Sequence, residues 1–363
     1  MTVGILPDPH RIEERDEMST TTVKPDERLA ATSNITRILK RPEIGALVAA
    51  AAVMGFFSIY TDAFMTRPGV GPWLESASTY GIMAVAVALL MIGGEFDLSA
   101  GAMTGFTALT VGILTTHWGV NIWVALVVSL VFALAIGALN GILVMKTGLP
   151  SFIVTLGTFF VLQGIDLALV KAIIGQVSIQ GMSKVPFYDS VQNVFGSAFS
   201  IGGGGSVYIS VLWWIAMTAL ATWVLLRTRA GNWIFAVGGA QVSARQIGVP
   251  VFKTKVGLFM TTACAGWLVG MISLFRTSTV QSNTGVGQEF IYIICAVVGG
   301  CLLTGGYGSA IGAALGALIY GMTNQGIVYA QWDSNWLKTF LGVMLLGSVF
   351  LNNWVRERAE TSR

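Results

Sequence analysis

Eight stretches of this chain run for 17 to 48 residues without an Asp, Glu, Lys or Arg: 44–61, 76–94, 98–145, 147–165, 190–226, 256–275, 290–332 and 339–355. A helix rises 1.5 Å per residue, so about 20 apolar residues cross a hydrocarbon core of about 30 Å. Only 11% of the residues are charged, against about 25% in soluble domains. That leaves too little polar surface to face water, and lipid is the solvent for most of the chain.

Two of the runs are long enough for a pair of helices. The first breaks near Gly119-Val120-Asn121 and the second at Gly305-Gly306-Tyr307-Gly308, both turn-forming sequences. The run at 190–226 opens with Ile201 and four glycines, too flexible for a helix, and supplies one span starting near Val207. The sequence therefore predicts an all-α polytopic membrane protein with about ten spans. They lie near 44–61, 77–94, 99–116, 121–145, 150–169, 207–226, 256–275, 288–303, 308–328 and 337–354. The eighth is the shortest and is flanked by glycine.

Lys and Arg in short loops stay on the cytoplasmic side. With the N-terminus inside, the inner side holds Arg37, Lys40, Arg41, Lys146, Arg227, Arg229, Arg245, Lys253, Lys255, Arg356 and Arg358, and the outer side holds Arg67, Lys171, Lys184, Arg276 and Lys338. This bias of about two to one places both termini in the cytoplasm. Residues 1–40 crowd charges such as Arg11, Glu13, Glu14 and Arg15 with little to bury, and predict a disordered cytoplasmic tail. They lack the basic start, apolar middle and cleavage site of a secretory signal. The membrane domain is expected over 41–355, with a long cytoplasmic loop at 227–255, and a short cytoplasmic tail at 356–363.

Several functions are excluded at this level. The net charge of +3 and the scattered basic residues form no nucleic-acid-binding stripe. Cys264, Cys295 and Cys301 lie in apolar runs without metal-ligand spacing, and His10 and His117 have no catalytic partner in sequence. No metal site or cofactor is expected. The nearest approach to a phosphate-binding loop, Gly141 to Lys146-Thr147, lacks the glycine before the lysine and ends a helix. Any ATP must be hydrolysed by another chain.

Within the spans, Gly308, Gly312 and Gly316 recur every four residues, as do Gly137 and Gly141. That spacing suits close helix packing in lipid, with a smooth pore-lining face as the alternative. Ionised side chains inside a membrane face protein or water. Asp166 and Glu289 lie near expected outer ends, and Asp97-Leu-Ser99-Ala reads as the start of the third helix. Asn140, Gln163, Asn324 and Gln325 are candidates for lining a translocation path, where carboxamides hydrogen-bond either a cargo or a neighbouring helix.

The 227–255 loop is the longest on the inner side. Gln241 to Ile247 suits a short amphipathic helix ended by Gly248 and Pro250, with Ala244 and Ile247 as a small apolar face for a partner. Its A-V-G-G-A-Q-V-S-A-R-Q-I-G-V resembles the cytoplasmic loop of the ribose-type ABC transporter permeases. Four further segments are similar to the same family. They are Gly93-Gly-Glu-Phe-Asp97-Leu-Ser99-Ala-Gly101, Leu149-Pro-Ser-Phe-Ile-Val-Thr-Leu-Gly-Thr158, Gly285-Val-Gly-Gln-Glu289-Phe, and Val298 through Gly308. Glu95 departs from the pattern, standing where many members carry a glycine.

The resemblance implies a vitamin-B12-importer-like helix arrangement in the cytoplasmic membrane and a second permease, identical or different, completing a dimer. It also implies a secreted or lipid-anchored sugar-binding protein outside and an ABC ATPase subunit inside. Gly239, Ala244, Arg245, Ile247 and Gly248 are then the contact with the ATPase, and Asp97, Ser99 and Glu289 are signature residues. The cargo implied is a monosaccharide or related polyol, moved by alternating access. Permeases for branched-chain amino acids share the superfamily and are the nearest alternative. An ion-coupled secondary transporter expects paired broken helices with mid-membrane carboxylates, which the sequence does not reveal.

Overall fold

The computed structural model describes residues 42–361, with side chains over 43–350, so the expected 1–40 tail lies outside the described residues. Among these residues are thirteen α-helices and four short strands. Seven helices are long and apolar enough to cross a membrane: α1 (Pro42–Tyr60), α2 (Arg67–Ile92), α4 (Ile122–Thr147), α5 (Ser151–Ile174), α7 (Ser210–Arg227), α10 (Val251–Thr277) and α12 (Ala310–Tyr329). Two shorter apolar helices, α3 (Ala100–Thr116) and α11 (Glu289–Val298), and α13 (Trp336–Thr361), apolar over Trp336–Phe350, fall on the other three expected spans. Between α5 and α7 lie α6 (Tyr188–Phe195) and a hairpin of β2 (Ala198–Gly202) with β3 (Gly205–Tyr208), which uses the glycine run as its tip. The chain from α7 to α10 folds as α8 (Arg229–Gly239) and α9 (Gln241–Gln246).

Local chemistry sets the helix ends. Thr66 accepts a hydrogen bond from the Gly69 N–H at 3.1 Å and starts α2, and Asn121 accepts from the Trp123 N–H at 2.9 Å and starts α4. Ser309 does the same for α12 through the Gly312 N–H at 2.9 Å. Gly148 and Gly175, both left-handed, terminate α4 and α5.

Several helices extend past the charge-free runs, for a physical reason. α2 begins at Arg67 rather than near 77, because Glu75 within it is paired with Arg276 of α10. α10 begins at Val251 rather than 256, because Lys255 is paired with Glu95. α13 continues to Thr361, past the expected end of the last span. α2, α10 and α12 are buried along most of their length and form the centre of the bundle. α1, α4, α5 and α7 bury a third or less of theirs.

The eighth expected span is different in kind. After α10, residues 278–288 are extended and looped; β4 (Val280–Gln281) pairs antiparallel with β1 (Ser178–Ile179). The segment then runs along α3. Ile179 lies against Gly112, the Thr284 carbonyl against Gly105, and the Gly285 carbonyl against Gly101. A side chain at Gly105 would meet the Thr284 oxygen at 2.5 Å, and one at Gly101 would meet the Gly285 oxygen at 2.6 Å. Only then does α11 begin, ten residues and about 15 Å long, half the thickness of a hydrocarbon core.

Glu289 is buried rather than water-accessible. Its carboxylate lies beside Gly101, near the start of α3. Asp166 is likewise buried rather than at a water-accessible end, with Oδ2 3.6 Å from where a Gly105 side chain would begin. A single non-helical segment thus precedes α11, an interruption that a charge-free run does not reveal.

The recurrent glycines of α4 and α12 serve packing. Gly312 and Gly316 bring α12 onto the backbone of α11 and its exit at Gly299, and Gly137 and Gly141 bring α4 onto α10. Replacing Gly105 by Leu should displace the 278–288 segment. We expect a lower detergent melting temperature and faster maleimide labelling of a cysteine placed at the buried Ser282; unchanged labelling would contradict this packing.

Candidate functional site

α2, α3, α10, α12 and the 278–288 segment enclose a polar cavity of about 250 Å³. Glu75, Ser76 and Thr79 of α2 face Ser273 and Arg276 of α10 across it, with Asn324 and Gln325 of α12 and Gln288 completing the wall. The two ionised groups neutralise each other, the Arg276 guanidinium donating to the Glu75 carboxylate. Asn324 Nδ2 donates to Ser76 Oγ at 3.3 Å, and the Tyr292 hydroxyl donates to Gln288 Oε1 at 2.8 Å. The cavity is smaller than the roughly 300–1,000 Å³ of drug-sized ligand sites, and it offers hydroxyls and carboxamides. Such a lining exchanges hydrogen bonds with a small neutral cargo at little net cost. The larger grooves, such as that of about 550 Å³ along Trp214, Trp223 and Leu226, are lined by apolar side chains.

Of the path candidates, Asn324 and Gln325 reach this cavity, and Asn140 and Gln163 do not. Asn140 is fully buried on α4, donates to Ser99 Oγ at 3.0 Å and accepts from Thr158 Oγ1 at 2.6 Å. Gln163 lies half-buried on α5, away from the cavity wall. The Asn140 contacts belong to a network around the loop 93–99. Asp97 Oδ1 accepts from the Ser99 N–H at 2.8 Å and from Ser99 Oγ at 2.5 Å. Asp97 thus organises the entry to α3 through the residue preceding it. Burial pushes the Asp97 carboxyl up to about 6, against hydrogen bonds from Ser99 and the Ala100 N–H that hold it down. The Phe96 and Leu98 N–H groups donate to Ser151 Oγ and Thr155 Oγ1 at 3.0 and 3.1 Å, so α5 satisfies the loop's backbone.

A second assembly lies where α8 packs on the end of α2, with α9 following it. Gly306 N–H donates to the Ile92 carbonyl at 2.8 Å, and a side chain at Gly306 would meet Gly239 Cα at 2.7 Å. Gly94, Gly238, Gly239, Gly305 and Gly306 thereby bring three backbones together. α9 stands where the sequence predicts it, ended by Ile247 and a left-handed Gly248 at φ +85°. Ala244 is a correction. It is buried against Val237 and Val251, because a helix of six residues needs one side to hold it to the protein. The apolar side chains it presents outward are Val242 and Ile247, 73% and 78% exposed, with Arg245 also exposed between them.

α8 is absent from the sequence reading, as is the role of Lys255. Lys255 Nζ, counted above among loop cations, is buried, pairs with the Glu95 carboxylate and donates to Gln241 Oε1 at 2.7 Å. Breaking a buried pair by removing one partner typically costs about 3–5 kcal/mol. Glu75, Arg276 and Lys255 were legible only as charges that bounded apolar runs. Opposite signs at the ends of helices packed together were the available signal.

Residues 70–349 match the family model described as branched-chain amino acid transport system / permease component. The ribose import permease protein RbsC of Escherichia coli (strain K12) is 30% identical over 309 residues, covering 85% of this chain and 92% of that protein. The chain belongs to the sugar ABC transporter permease family. The permease is also 30% identical over 266 residues to the inner membrane ABC transporter permease protein YjfF of Escherichia coli (strain K12), covering 73% of this chain and 77% of that protein. The autoinducer 2 import system permease protein LsrC of Enterobacter sp. (strain 638) is 30% identical over 324 residues, or 88% and 89% of the two chains. No solved structure matches the chain. With its apolar helices, this membership makes the permease a multi-pass protein of the cytoplasmic membrane.

The buried network and the cavity should respond differently to mutation. Asn140→Leu removes two hydrogen bonds worth about 0.5–1.5 kcal/mol each, Ser99 still donating to Asp97 and Thr158 to Val154, and should lower the melting temperature by a few degrees. Gln325→Leu should leave it within about a degree. Equal stability of the two variants would contradict the assignment.

Proposed function

We propose that this permease carries a neutral monosaccharide or related polyol inward through the α2–α10–α12 cavity, driven by a separate ABC ATPase. The observation that carries the reading is the cavity wall: hydroxyls and carboxamides around an ion pair that neutralises itself. The relatives named for ribose, fructose and autoinducer 2 import support the same cargo class. A branched-chain amino acid is zwitterionic and apolar at once. It would need unpaired charges and a greasy pocket, whereas Glu75 and Arg276 are engaged with each other. An ion-coupled transporter would need paired broken helices, of which the segment before α11 is one, and that mechanism finds no support in the family.

The arrangement has ten spans with both termini cytoplasmic, α8 and α9 on the cytoplasmic side, and the cavity in the outer half. A secreted or lipid-anchored binding protein delivers the cargo, and a second permease, identical or homologous, faces this one. Alternating access follows when the ATPase closes and pushes on α9, whose Val242, Arg245 and Ile247 present the contact.

Two measurements test this. In proteoliposomes holding the permease, its ATPase and binding protein, labelled ribose or fructose should accumulate with internal ATP and not with a proton or sodium gradient alone. Gradient-driven accumulation without ATP would contradict the mechanism. Arg245→Glu should cut uptake tenfold or more while the protein still inserts. Gly248→Val, forced to φ +85° where a β-branched residue is strained, should do the same. Normal uptake by both would sink the coupling role of α9.

A further inference from the structure

We propose that Glu95, Lys255 and Gln241 form an internal link that carries movement of α9 to the loop 93–99 and so to the cavity. The inference rests on the proposed docking of an ATPase on α9. Its members come from three separate pieces of the fold: the loop leaving α2, the first turns of α10 and the first residue of α9. Lys255 and Glu95 are 5% and 8% exposed. The Lys255 ammonium holds the Glu95 carboxylate on one side and Gln241 Oε1 at 2.7 Å on the other. α9 also packs through Ala244 on Val237 and Val251, with Met145, Ala236 and Val249 around them.

From Glu95 the path continues without a gap. Phe96 and Leu98 are bonded to α5, Asp97 holds Ser99, and Ser99 leads into α3. Gly101 and Thr104 of α3 touch the 278–288 segment, and Thr104 and Thr284 line the cavity. A buried pair is seldom the most stabilising choice, since well-packed apolar groups often replace it without loss. Its placement between three separate elements fits a part that fixes their register.

The test uses the assembled transporter and needs no knowledge of the cargo. In a Cys264→Ser background, Phe96→Cys reports the loop and Val242→Cys reports the outer face of α9. Both are labelled with maleimide in the nucleotide-free complex and after trapping with ATP and vanadate. The wild-type link should give at least a threefold change at Phe96→Cys on trapping. Gln241→Ala, which leaves the ion pair intact, should abolish that change. So should the neutral double variant Glu95→Gln with Lys255→Met. In both, protection of Val242→Cys by the ATPase and the melting temperature should be kept.

A threefold change that persists in either variant, or none with the link intact, overturns the proposal. Loss of the complex or a lowered melting temperature in both variants also overturns it, because the three residues would then be serving stability. If Val242→Cys is unprotected by the ATPase even with the link intact, the docking reading fails and the link falls with it.

Discussion

The chain leaves helical geometry over residues 278–288, and the central architecture depends on how that backbone is packed. Backbone N–H and C=O groups taken from water need partners. Val280, Ser282 and Gly285 are buried, while Thr279, Gln281 and Asn283 are exposed. β4 borrows hydrogen bonds from β1, and the following carbonyls lie in the groove that Gly101 and Gly105 leave along α3. Gly285, at φ +81°, turns the chain against Thr104 and Gly101, where a side chain has no room. The result is a half-length helix, α11, that starts beside the polar cavity and brings Gln288 to its wall.

The same constraint governs the charges. Two ion pairs lie between elements distant in sequence, Glu75 with Arg276 and Glu95 with Lys255. The first leaves the cavity electrically neutral, which suits a cargo recognised by hydroxyls. The second lies where the helices proposed to meet the ATPase join the bundle. An ionised group in lipid is costly, so each pair ties two helices together as well as cancelling charge.

Much of this was legible in the sequence, and the misses share a cause. Apolar runs located all ten long or apolar helices, and the glycine run after Ile201 correctly broke one of them. The starts of α2 and α10 were misplaced because a window free of charge stops at Glu75 and Lys255. Both residues are accommodated by partners about 160 to 200 positions away, which one-dimensional reading does not see. α11 was read as a full span because the 290–332 run is apolar throughout, and hydropathy does not distinguish a descending loop from a helix. Of the carboxamides, Asn324 and Gln325 reach the cavity wall, while Asn140, chemically identical to Asn324, serves a buried network. Ala244 was expected outward because amphipathicity gives two faces, and only the packing of Val237 and Val251 decides which is which.

The central claim is that cargo passes through the cavity between α2, α10 and α12. Its most direct test is protection of a cysteine at Gln325, in the assembled transporter, from a membrane-impermeant thiol reagent added outside. The account predicts labelling in the nucleotide-free state, slowed by the sugar-loaded binding protein and lost when ATP and vanadate trap the ATPase. Labelling at a constant rate through all three conditions would contradict it.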